Sequence, residues 1–332
     1  MTQLTRRRFL KLAGAALLTG ASPLRALQVD QPPDNPRDED FDWYADSPLV
    51  QSMQVALEEM IGGLKMCLDF RCFNQRQDEL FRIQINAFDL FPVASSFKSM
   101  VVLYYFLTVP EEEWDADSFS PLYRMAVYSD NVATGTILAN VAQRVPGSEN
   151  PIEKFNNFLL RNVGCLNGLH TWNWPNSPTV GFSDPRYAPS AVNGRVVWKG
   201  DNYYQVDNVF NAVDISRSYD FVVRGEHFSQ MERFKRAARA TKDLLSIPSD
   251  NGYRSPIERV YPDGYMGKDG ILPSADLEIG RVVNDSGAIT IGNHTYLIVF
   301  MSAGESESTA INVLGEVINQ MNIYEEASDG LW

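Results

Sequence analysis

Strand-like patterning lies towards both ends of the chain and helical patterning fills the middle, and few architectures accept that order. Ser47 and Pro48 open a helix that carries Leu49, Val50, Met53, Leu57, Met60 and Ile61 on one face. Two strands are expected near 63–73 and 79–86, joined by the polar turn 74–78. Far along the chain, strands are expected near 263–271, 279–291 and 294–302, with Gly292-Asn293 marking the last turn. A closing helix over about 308–324 would turn Ile311, Leu314, Val317, Ile318 and Met321 inward. Between these groups the patterns predict helices from Ser95 onward and near 119–128, 131–143, 151–162, 211–223 and 226–245. The acidic stretch 111–117 reads as a loop, and 173–207, rich in Pro, Gly, Asn, Trp and Tyr, as a long excursion. The expected class is therefore α+β: an antiparallel sheet flanked by the N- and C-terminal helices, beside an all-helical lobe.

The first 26 residues are of a different kind. Thr5-Arg6-Arg7-Arg8-Phe9-Leu10-Lys11 precedes the apolar run 12–18 and the small residues 19–22. This resembles a twin-arginine export signal, matching Ser/Thr-Arg-Arg-x-Phe-Leu-Lys at every fixed position. The expected organisation is a leader over 1–26, a flexible acidic lead-in over 27–46, one two-lobed domain over 47–325 and a short tail over 326–332. The resemblance implies export by the twin-arginine route to the periplasm, the cell envelope or the extracellular space. The leader holds five of the 29 basic residues and none of the 42 acidic ones, so its removal takes the formal charge from −13 to about −18. Such an acidic protein is a poor partner for nucleic acid or an anionic membrane. No later stretch is long and apolar enough to span a bilayer, and a monomer is expected. Cys67 and Cys72 fall on opposite faces of one strand, and Cys165 is remote, so no disulfide scaffold is expected.

The chemistry is concentrated in residues 91–98, Phe-Pro-Val-Ala-Ser-Ser-Phe-Lys, which run into the apolar segment Ser-Met-Val-Val-Leu-Tyr-Tyr-Phe. Ser95 and Lys98 stand three residues apart at the head of a helix, hence on one face. A serine hydroxyl is a poor nucleophile until a neighbour takes its proton, and a partly buried lysine can do so. Unpaired N–H groups at the helix start favour a developing anion. Alone, the spacing fits equally an N-capping serine and a solvated lysine. Two further motifs follow in order: Ser129-Asp130-Asn131, and Lys268-Asp269-Gly270 on an expected strand.

Together these motifs resemble those of the class A β-lactamases and related penicillin-recognising serine hydrolases, whose set is Ser-x-x-Lys, Ser-Asp-Asn and Lys-Thr-Gly. The resemblance covers about residues 47–325, a serine β-lactamase-like catalytic domain, and extends to Phe91-Pro92 and Asn284-Asp285-Ser286-Gly287. It implies a β-lactamase/transpeptidase-like fold and an acyl-enzyme on Ser95. Lys98 would help to deprotonate that serine, and Ser129 would pass a proton to the leaving nitrogen. Asn131, Lys268, Asp269 and Gly270 would bind substrate, and the backbone N–H groups of Ser95 and Ile271 would form the oxyanion hole. The implied partner is a small β-lactam or peptide-like molecule, with no cofactor and no metal.

Two departures qualify this. The family's deacylating glutamate aligns with Asn173, in Leu169-His170-Thr171-Trp172-Asn173, and a neutral amide cannot accept water's proton at neutral pH. Glu226, Glu232 and Glu258 are among the next glutamates along. Asp269 replaces the threonine of the third motif, and a carboxylate there would repel an anionic substrate unless a base neutralises it. Impaired deacylation is thus an expectation. A D,D-peptidase or another amidase or esterase stays open, as does a catalytically idle envelope binding protein. His170, His227 and His294 are dispersed without metal-ligand spacing, and the basic run Arg233, Lys235, Arg236, Arg239 and Lys242 reads as a solvated helix face.

Overall fold

The structure, a computed structural model, describes residues 47–172, 182–187, 208–228, 231–249, 252–272 and 280–329, with the side chains of 226–228 and 329 excepted. Leader, lead-in and residues 330–332 lie outside the described residues, as does most of the 173–207 excursion, Asn173 included.

The sheet joins the two ends of the chain. Helix α1 (Pro48–Ile61) starts with proline in its first turn, where a missing N–H costs nothing, and stops at Gly62. Strands β1 (Met66–Phe73) and β2 (Glu79–Ile85) form a hairpin. Its turn is set by the Asn74 carboxamide, which accepts the N–H groups of Arg76 and Asp78 at 2.8 and 3.0 Å. Strands β7 (Tyr265–Leu272), β8 (Val282–Ile291) and β9 (His294–Ser302), numbered after the short β3 to β6 below, complete a five-stranded antiparallel sheet in the order β2-β1-β9-β8-β7. Its central pairing sets Met66 opposite Ser302. Helix α9 (Glu307–Asp329) continues five residues beyond the boundary that periodicity predicts and packs on the sheet beside α1.

Met53, Leu57 and Ile61 of α1, Leu68, Phe70 and Cys72 of β1, and Val313, Leu314, Val317 and Met321 of α9 share one core. The other face of β1 is also closed, although its alternation reads as half polar. Arg71 bonds Glu79 at 2.7 Å and Asp220 at 3.0 Å, and Asp69 pairs with Arg82. Pairing is what lets these charges be buried. All three cysteines are buried and free.

The second lobe is built around α2 (Lys98–Thr108), whose residues are buried from Lys98 to Leu107. A helix apolar on all sides must be enclosed, and α3 (Pro121–Tyr128), α4 (Asn131–Ala142), α5 (Pro151–Phe158), α6 (Ala212–Phe228) and α7 (Glu232–Leu245) surround it. Ser120, Asp130 and Asn150 cap α3, α4 and α5. The basic run on α7 is not simply solvated: the Arg233 guanidinium donates to the carbonyls of Leu107, Thr108 and Val109, closing the C-terminal end of α2. A short α8 (Pro256–Val260), absent from the sequence expectation, carries a capping box between Ser255 and Glu258. Two-residue strands pair as β3 (Phe91–Pro92) with β6 (Val209–Phe210), and β4 (Thr171–Trp172) with β5 (Phe182–Ser183). Among the described residues no helix is long and apolar enough to cross a membrane.

Candidate active site

Ser95 lies not in α2 but in the turn before it. There Ser96 N–H donates to Val93 O, Lys98 N–H to Ser95 O at 3.0 Å, and Met100 N–H to Phe97 O at 2.9 Å. These are i to i+3 bonds, and in such a turn side chains three apart eclipse. Lys98 Nζ is accordingly 3.0 Å from Ser95 Oγ. The turn is entered through Ala94 in the left-handed region, φ 49°. That conformation costs an alanine roughly 1 kcal/mol and is held from both sides. The Asn284 side chain donates to Pro92 O at 2.7 Å, and Val93 N–H donates to Asn208 O at 2.8 Å. Asn284 is the first residue of the Asn-Asp-x-Gly resemblance, and its place here is to fasten the serine segment to the sheet.

The second motif reaches the same point from the junction of α3 and α4. Ser129 ends α3 in a left-handed conformation, φ 58°, and Asp130 caps α4. This sharp reversal turns the Ser129 carbonyl and hydroxyl and the Asn131 carboxamide oxygen towards Lys98 Nζ, at 2.6, 3.0 and 2.7 Å. Lys98 has no solvent exposure. Burial is the main cause that drives its amine well below the ordinary lysine range; the charge of Lys268 adds to this, and Asp269 and Asp130 oppose it. The Ser129 carbonyl and the Asn131 oxygen can only accept, so they engage two N–H groups. In a neutral amine those are the only two, which leaves the lone pair to the hydroxyls of Ser95 and Ser129.

Strand β7 supplies the third wall. It is an edge strand, and its free side abuts the serine turn. A Cβ at Gly270 would lie 2.7 Å from the backbone nitrogens of Ser95 and Ser96, so only glycine permits this approach. Ile271 follows on β7, opposite Val283 of β8. Lys268 is 5% exposed, and its described hydrogen bonds go to Asp269, Oδ1 at 2.7 Å and the backbone carbonyl at 3.2 Å. The other carboxylate oxygen of Asp269 accepts the Tyr253 hydroxyl at 2.6 Å. Burial works to raise Asp269, but the charge of Lys268 and these hydrogen bonds hold it below the usual carboxylate range.

Ser95, Lys98, Ser129 and Asn131 are thus joined directly, and Gly270, Lys268 and Asp269 stand against them. Trp172 packs edge-on against Phe97, ring centroids 5.7 Å apart. Asn173 beyond it lies outside the described residues, as does the side chain of Glu226. Glu258 is engaged in its cap, and Glu232 pairs with Lys235 on the surface. Tyr253 and Asn208 belong to the site's framework and escape sequence reading, because each sits in an aperiodic segment and acts across a long loop. Among the described residues, no three His, Cys, Asp or Glu side chains gather as a metal site.

No family model matches the chain, and no curated protein matches it. Solved structures do. The TLA-3 extended-spectrum β-lactamase superposes with a TM-score of 0.53 at 14% identity, covering 82% of this chain and 98% of that one. The fold is that of the class A β-lactamases. A reconstructed last common ancestor of Gram-negative class A enzymes gives 0.52 at 13% identity, covering 81% and 99%. A β-lactamase from Sphaerobacter thermophilus gives 0.50 at 15% identity, covering 82% and 95%. The β-lactamase-like framework is therefore shared across nearly the whole length of these enzymes, while little sequence is.

Proposed function

We propose that the protein is an exported active-site-serine hydrolase of the β-lactamase type, acylated at Ser95 by a lactam, amide or ester carbonyl. One observation carries this reading: a fully buried lysine whose amine meets two obligate acceptors and two hydroxyls, one of them Ser95. Ser95 Oγ attacks the carbonyl carbon as its proton passes to the Lys98 lone pair. The carbonyl's π electrons move to its oxygen, which faces the N–H groups of Ser95 and Ile271. When the carbonyl re-forms, the bond to the leaving nitrogen or oxygen breaks. That atom takes the Ser129 proton, and Ser129 regains one from Lys98. Acyl-enzyme and free leaving group result, with no net change in protons.

Release of the acyl group is slow in this reading. Support comes from the neutral Asn173 at the aligned glutamate position and from the engagement of Glu232 and Glu258 elsewhere. The leader sequence supports export. The test is intact-mass spectrometry of the full chain with an activated ester and with a penicillin, followed over time. A persistent acyl adduct with the activated ester, absent in Ser95→Ala, is expected. No adduct and no hydrolysis with either reagent overturns the reading in favour of an idle binding protein. Hydrolysis without an adduct shows that another group has taken the glutamate's place.

A further inference from the structure

A buried cation beside a nucleophile is the natural anchor for a substrate anion. Lys268 has that position, close enough to Lys98 for its charge to act on the amine. Yet its ammonium is 2.7 Å from Asp269 Oδ1, and the carboxylate is fixed from its other side by Tyr253. The pair is desolvated unequally: the Lys268 side chain is 5% exposed and that of Asp269 15%. The more accessible member is the anion. Arg124, a second cation on this side, stands 3.3 Å from Asp130, and its side chain is 43% exposed. Directly across the ladder from Asp269 stands a second acid, Asp285, fully buried and accepting the N–H of Ile257 at 2.7 Å and the hydroxyl of Tyr265. The buried cation on this side of the pocket is thus neutralised within the protein, with a carboxylate as its more exposed partner.

We infer that Asp269 makes the site select uncharged or cationic esters and amides and reject those carrying a carboxylate next to the scissile bond. An incoming carboxylate would be stripped of water beside Asp269, and Lys268, the buried cation next to it, is already paired with that acid. An uncharged group faces no such opposition, and an ammonium would gain from the outermost oxygen. Asp269 is by this account a selectivity-determining residue. The inference rests on Ser95 being the nucleophile, as proposed above.

The test uses the full chain and two matched esters, identical except that one bears a carboxylate beside the ester and the other its carboxamide. A fluorophosphonate probe reports the reactivity of Ser95 independently. The expected result is a kcat/KM about tenfold or more in favour of the carboxamide, with fluorophosphonate labelling that is lost in Ser95→Ala. Asp269→Thr frees the Lys268 charge and should bring the ratio to one or reverse it. Equal rates for the two esters in the native protein, with Ser95 labelled, overturn the selectivity and leave the nucleophile standing. No turnover or labelling by any probe overturns both. The ratio is read within the native protein, so the outcome does not depend on the variant folding.

Discussion

Lys98 works as a base only if it is neutral, and its surroundings are arranged for that. Desolvation is the largest influence on it, and Lys268 adds a like charge. Asp269 and Asp130 pull the other way without prevailing. The sign follows: protonated amine prevails below the depressed pKa, free amine above it. The rate of Ser95 labelling should therefore rise with pH through a midpoint well under 10.5 and level off before the range of an ordinary lysine. A pH profile of labelling that climbs all the way to pH ~10 would contradict this. Lys98→Arg keeps a cation in place but cannot accept a proton, and a loss of about a hundredfold or more is expected. At this scale the sequence is legible where spacing is short. Ser95 and Lys98 announce themselves three residues apart, and Ser129 and Asn131 two apart. Tyr253 does not, since its contact with Asp269 crosses 16 residues with no period to mark it.

Among the elements, α2 and β7 meet at the site with almost no clearance. Gly270 is the contact, and the serine turn lies against its Cα. Gly270→Val should push β7 away from Ser95 and misplace both the oxyanion N–H groups and Lys268. Labelling should slow by tens-fold to about a hundredfold, since displacements near 1 Å cost that much in positioned chemistry. If labelling of Gly270→Val matches the native rate, β7 is not a wall of the site. Further along β7, Gly267 faces Gly287 across the ladder, and the Tyr265 ring fills the space both leave open, its hydroxyl reaching Asp285. Regular elements can be read from apolar period, as α1 and α9 show. Arg233 cannot, because its period is that of a surface residue while its partners are the carbonyls ending α2. Likewise α8 is too short to display a period, and the serine turn reads as helix because its tight i to i+3 bonding keeps helical spacing.

For the whole molecule, Asp285 links stability to pH. Burial, then the charge of Asp269, pushes its carboxyl up to about 7, against hydrogen bonds from Tyr265, Ile257 and Ser255. A raised folded-state pKa contributes stability that is full below the unfolded value and lost as pH rises through 7. Between pH 4 and 8 this one group should remove roughly 4 kcal/mol. Thermal melts across that window should show a flatter slope for Asp285→Asn than for the native chain; parallel slopes would place the titration elsewhere. The α+β layout is legible at this scale because opposite ends of the chain carry matching strand patterns. The match has a consequence in time. β1 is made early but pairs with β9, which appears only after some 220 further residues. A ribosome thus delivers Ser95, Lys98, Ser129 and Asn131 long before it delivers Lys268 and Gly270. A chain that stops before His294 would leave β1 with a bare edge, prone to pair with other chains, and its nucleophile would be synthesised but never housed.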